Sequence, residues 1–118
     1  MNAIQHLTED TFDDATAEPG ILVLDFWASW CWPCRAIAPQ FERVAELRPQ
    51  YRFAKVDVDA EPELAGRFAV RSIPTLMVLR DGEPVAAQVG LIPAQPLVEA
   101  LDRLAAARTE TAGAKEAA

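Results

Sequence analysis

The chain has 118 residues, about half of them apolar and a quarter charged, which suits one soluble domain with one core and is too short for two. Its formal charge of −7 excludes a nucleic-acid groove or an anionic membrane surface as the main partner. The longest apolar stretch, residues 21–28, is broken by Asp25 and falls far short of the roughly 20 residues that span a bilayer.

Residues 2–6 read as a short first strand. Thr8 is placed to cap a helix over residues 9–17 with acids in its first turn, and Pro19-Gly20 ends it. Ile21–Trp27, ILVLDFW, is nearly continuous in apolar residues, the pattern of a central strand covered on both faces. From Cys34 to Arg48 the apolar positions Cys34, Ile37, Ala38, Phe41, Val44 and Ala45 recur at spacings of three and four, one face of an amphipathic helix that Pro39 should kink and not stop. A strand over 51–58, a short helix over 61–68 and a strand over 73–79 follow. Asp81-Gly82 is a hairpin turn into a strand over 84–90. Pro96 opens a last helix, with Leu97, Leu101 and Leu104 on one face, that should end near Ala107. Residues 108–118 are small and polar without apolar periodicity, so a domain of residues 1–107 with a disordered tail is expected. The order βαβαβαββα predicts an α/β domain whose mixed five-stranded sheet carries helices on both faces, with parallel pairing where helices separate strands and antiparallel pairing at the hairpin.

Two cysteines stand in Trp30-Cys31-Trp32-Pro33-Cys34, where a buried strand gives way to a helix. The N-terminus, Met1-Asn2-Ala3-Ile4-Gln5-His6, lacks the basic-then-apolar pattern of a secretory signal, so a cytoplasmic protein is expected. There a structural disulfide is out of place, and a close pair is catalytic or metal-binding. Such a pair is also half of a zinc site, but four ligands are needed and only His6 remains as a nitrogen ligand, so no metal is expected. Free N–H groups in the first helical turn favour a thiolate over a thiol. Cys31, at the helix tip, is therefore the expected exposed nucleophile, and Cys34, one turn in on the apolar face, the shielded resolving thiol. Pro33 occupies a helical position that needs no N–H.

Five further features accompany the pair. Asp25 is the only charge in the central strand; burial there opposes ionisation and would let it hold a proton near Cys34, whereas an edge position would simply leave it in water. Lys55 is one of only two lysines against nine arginines, and either pairs with Asp25 or ends its strand in solvent. Pro74 opens a strand after Ile73 and is trans on base rate. Trp27 ends the buried strand as a packing residue, while Trp30 and Trp32 are surface aromatics that offer docking area. Gly90 follows the last strand, where a turn alone would suffice to explain it.

Phe26-Trp27-Ala28-Ser29-Trp30-Cys31-Trp32-Pro33-Cys34-Arg35 resembles the active-site segment of the thioredoxin family, and Ile73-Pro74-Thr75 resembles its cis-proline loop. The likeness runs from about Ile4 to Leu104. It implies a thioredoxin fold and a protein-disulfide reductase that works through a redox-active Cys31–Cys34 disulfide with no bound cofactor. Its partners would be disulfide-containing proteins and a separate thioredoxin reductase using NADPH and flavin; a monomer is expected. The resemblance also implies that Asp25 exchanges a proton with Cys34 and that Lys55 pairs with Asp25. It further implies that Pro74 is cis and leaves the Ile73 backbone free for an added substrate strand, with Gly90 admitting substrate backbone. Substrate contacts would then come from Trp30, Trp32, Ile73, Pro74 and Gly90. Three residues depart from the family: Trp32 where glycine is usual, Ser72 for a common glycine and Arg35 for a common lysine. Two competing readings are a thioredoxin-fold binding or chaperone-type module and an oxidant or isomerase. Two intact cysteines argue against the first. Proline before Cys34, where strongly oxidising relatives carry histidine, argues against the second.

Overall fold

In a computed structural model, which describes residues 4–117 and the side chains of residues 4–107, the chain runs β1 (Gln5–His6), α1 (Phe12–Ala17), β2 (Ile21–Trp27), α2 (Trp32–Leu47), β3 (Arg52–Asp57), α3 (Pro62–Arg67), β4 (Thr75–Arg80), β5 (Glu83–Val89) and α4 (Ala94–Ala117). Asn2 and Ala3, where the first strand was expected to start, lie outside the described residues. The strands form one mixed sheet in the order β1-β3-β2-β4-β5. β1, β3 and β2 are mutually parallel, and β4 is antiparallel to both β2 and β5.

Parallel pairing across helices thus holds for three strands and fails for β4. The reason is local. α3 covers only Pro62–Arg67 and is followed by a turn through Ala69, whose φ is 55°. The chain re-enters the sheet at the end it left, on the far side of β2. At the hairpin, Asp81 and Gly82 take φ of 52° and 85°, the paired left-handed conformations that a tight turn between twisted strands requires.

Strand alternation divides the core in two. Ile21, Val23, Phe53, Leu76 and Val78 pack under α2 and α4 through Ile37, Phe41, Val44, Leu97 and Leu101. Leu22, Leu24, Phe26, Ala54, Val56, Met77 and Leu79 face the other way, onto Phe12 of α1 and Leu64 of α3. Helices therefore cover both faces, and β2 lies in the middle of the sheet with six of its seven residues buried.

Helix boundaries show where local signals mislead. Thr11, not Thr8, is the residue before α1; Thr8 instead starts a preceding turn, its carbonyl accepting the Phe12 N–H at 2.9 Å. α2 starts at Trp32, two positions before the apolar spacing begins, and passes through Pro39 to Leu47. α4 continues as helix to Ala117, where an irregular tail was expected. Loss of apolar periodicity removes a packing face but not the intrinsic helix preference of alanine, glutamate and lysine. The side chains of residues 108–118 lie outside the described set. Among the described residues no helix is long and apolar enough to cross a membrane.

Candidate active site

The cysteine segment joins the end of β2 to α2. Cys31 is the N-cap of α2, in extended conformation, and its Sγ accepts the Cys34 backbone N–H at 3.2 Å. Pro33 lies within the first turn, where an absent N–H costs nothing. The two cysteines form a disulfide, with Cα atoms 5.3 Å apart. A sulfur at this position receives the Cys34 N–H and stands at the positive end of a 16-residue helix, and both favour the thiolate once the disulfide is opened.

Exposure differs from expectation. Cys31 is 4% exposed and Cys34 1%, so the order is as expected but Cys31 does not stand out in solvent. Ala28 is buried with the two cysteines, and Trp27, Val58 and Ile73 pack against them. What stands out instead is the rim: Trp30 and Trp32 are 68% and 69% exposed. The Trp30 indole N–H donates to Asp59 Oδ2 at 2.7 Å. Asp59 was not foreseen, because nothing in its neighbourhood of acids (Asp57, Asp59, Glu61) marks which one a tryptophan 29 residues earlier will find.

The Ile73–Pro74 peptide is cis. Ile73 is half-buried against the cysteines, and among the described residues no hydrogen bond engages its backbone. Pro74 is itself buried. The Gly90 N–H donates to the Pro74 carbonyl at 2.9 Å, which ties the end of β5 to this loop. Gly90 has φ of 94°, and a Cβ added there would meet nothing within 4 Å. Its glycine is required by backbone conformation, and the space above it is open.

On β2, Asp25 is wholly buried. It shares strand parity with Ile21 and Val23 and so faces the side of the sheet that carries α2. In register with it on β3 is Lys55, whose Nζ lies 3.6 Å from Asp25 Oδ2 and 4.9 Å from the centre of the Trp27 ring. Among the described residues, neither carboxylate oxygen accepts a hydrogen bond and Trp27 Nε1 donates none. Burial pushes the Asp25 pKa up to about 6, and the Lys55 ammonium moderates the rise. Such a carboxylate is ionised at neutral pH yet basic enough to take up a proton. His6 is exposed on β1 in the same row as Lys55.

Among the described residues no group of three or more histidine, cysteine or acidic side chains could hold a metal ion. The arrangement suits thiol–disulfide exchange: a capped sulfur, a bonded partner one turn in, and a buried acid on the same side of the sheet.

Comparison with known proteins agrees. The thioredoxin family model matches residues 3–103. The thioredoxin of Listeria monocytogenes is 42% identical over 101 residues, covering 85% of this chain and 97% of that one. The thioredoxin of Bacillus subtilis is 43% identical over 102 residues, covering 86% and 97%. A solved chain from work on thiol resolution in a yeast mitochondrial 1-Cys peroxiredoxin by glutathione and thioredoxin systems superposes with a TM-score of 0.78 at 28% identity, over 86% of this chain and 95% of that one. The chain belongs to the thioredoxin family and is a thiol–disulfide oxidoreductase that reduces protein disulfides.

Proposed function

We propose that the protein is a cytoplasmic, monomeric reductant in which Cys31 attacks and Cys34 resolves, within a working domain of residues 1–107. The observation that carries this reading is the Cys31 sulfur capping α2, with the Cys34 N–H donated to it. The Cys31 thiolate attacks one sulfur of a partner disulfide, and the partner's other sulfur leaves as a thiolate and takes a proton from water. Cys34 then gives its proton to the Asp25 carboxylate and attacks Cys31, closing the Cys31–Cys34 disulfide and releasing the partner's first sulfur as a second thiolate, which is protonated in turn. Two electrons pass from the protein to the partner. Lys55 acts as a positioning residue that keeps Asp25 ionised enough to accept the proton. Pro33 shapes the first turn of α2, and Pro74 shapes the loop that presents Ile73. Trp30, Trp32, Ile73 and Gly90 line the surface where an extended partner segment adds beside Ile73. Electrons return through a separate NADPH-dependent flavin reductase, and no cofactor is bound here.

Reduction of insulin by dithiothreitol tests this reading. The protein should accelerate it, Cys31→Ser should abolish the acceleration, and Cys34→Ser should accumulate a mixed disulfide through Cys31. A Cys31→Ser protein as active as the parent overturns the assignment. The reduction potential of the pair should lie at or below the glutathione poise of the cytosol; a value far above it would reverse the proposed direction.

A further inference from the structure

Because Cys31 is only 4% exposed, a partner sulfur cannot reach it without bringing its own neighbours against the residues bonded to Cys31 on either side. Those are Trp30 and Trp32, and the two rings are held differently. Trp30 is fixed by its hydrogen bond to Asp59. Trp32, the first residue of α2, is 69% exposed. Among the described residues its side chain makes no hydrogen bond, ring contact or cation contact. Its ring is therefore unengaged apolar area one residue from the reacting sulfur, at a position where the family commonly has no side chain at all. Arg35, exposed and three residues further along the helix, lies on the same side as Trp32. It opposes a cationic group that would otherwise also settle on an indole face.

Resting on the proposed role of Cys31, we propose that Trp32 is a specificity-determining residue, whose ring packs on the residue flanking the partner's cysteine. It thereby selects disulfides flanked by aromatic or large aliphatic side chains.

The test is single-turnover reduction by protein reduced beforehand and freed of reductant, so that both electrons come from Cys31 and Cys34. The probes are symmetric peptide disulfides whose cysteine is flanked on both sides by phenylalanine, by serine or by lysine. The phenylalanine peptide should be reduced about tenfold faster than the serine peptide, the scale of one aromatic contact, and the lysine peptide no faster than the serine one. In Trp32→Ala the phenylalanine preference should fall below about twofold, and Trp32→Phe should restore most of it. A preference unchanged in Trp32→Ala, a parallel loss on all three peptides, or a lysine peptide as fast as the phenylalanine one overturns the inference. Failure of the parent protein to reduce any peptide, or insulin, overturns the underlying functional reading instead.

Discussion

Asp25 and Lys55 occupy the same rung of the paired strands β2 and β3, with a carboxylate oxygen 3.6 Å from the ammonium nitrogen, yet the carboxylate is wholly buried and accepts no hydrogen bond from the described residues. The separation is too long for a hydrogen bond and short enough for attraction. Desolvation outweighs that attraction, which is why the net shift of Asp25 is upward, to about 6.

The shift dictates a pH-dependent stability. Below pH 4 both the folded and unfolded chains hold the Asp25 proton, and the group contributes no difference. Between about pH 4 and 6 the unfolded chain releases it first, so stability falls as pH rises. Above pH 6 the folded protein carries a buried anion at a cost of about 3 kcal/mol. Asp25→Asn removes that titration. The advantage of the variant over the parent should therefore grow by up to about 3 kcal/mol between pH 3.5 and pH 8, with any fixed cost of burying the amide cancelling in the difference. Urea unfolding of both oxidised proteins at the two pH values measures it; an equal difference at both would mean that Asp25 titrates normally.

Lys55→Met removes the attraction and leaves the burial, so the pKa of Asp25 should rise further. With Asp25 as acceptor of the Cys34 proton, the acid limb of kcat/KM for insulin reduction should move to higher pH while the plateau at high pH changes little. A variant whose whole profile drops without moving would show Lys55 to be a packing residue only. The fluorescence of Trp27, which lies beside the ammonium, gives an independent titration of the same rung.

Gly90→Ala separates backbone conformation from crowding. No atom of the described residues opposes the added methyl, but a φ of 94° is costly for alanine, so a loss of about 1 kcal/mol in stability is expected. The methyl would also stand where partner backbone is proposed to pass. KM for insulin should rise with kcat nearly unchanged; unaltered KM would place the partner elsewhere.

Legibility in the sequence followed the range of the interactions. β2, α2 and the cysteine pair were readable because Ile21–Trp27 and the Ile37, Phe41, Val44 spacing encode burial within a few residues of chain. The meeting of Asp25 and Lys55 came from resemblance, since no local pattern reveals the register of β2 on β3. The antiparallel placement of β4 depends on where the turn through Ala69 returns the chain. Trp30 on Asp59 and the near-complete burial of Cys31 arise only when separate elements close around the site. The helical run beyond Ala107 is not legible from periodicity, which marks only the packed helices.

Asp102 offers a stability test far from the chemistry. From α4 it accepts hydrogen bonds from Arg48 Nη2 at 2.8 Å, Arg48 Nε at 3.0 Å and the Tyr51 hydroxyl at 2.7 Å, tying the last helix to the end of α2 and the start of β3. The guanidinium bond first, and the hydroxyl bond next, hold the Asp102 carboxyl below its usual pKa. Burial and the bond to Asp102 push the Tyr51 phenol up to about 12. Because a depressed carboxylate stabilises the fold above its unfolded pKa and loses that contribution as pH falls through the folded one, the benefit is present at neutrality and fades below about pH 4. The Arg48 and Asp102 side chains are 29% and 42% exposed, so solvent screening reduces the gain to about 1 kcal/mol. Asp102→Asn should lower the melting temperature by several degrees at pH 7 and by much less at pH 3. A loss of the same size at both pH values would mean that packing at the α2–α4 contact, and not the charge, joins these elements.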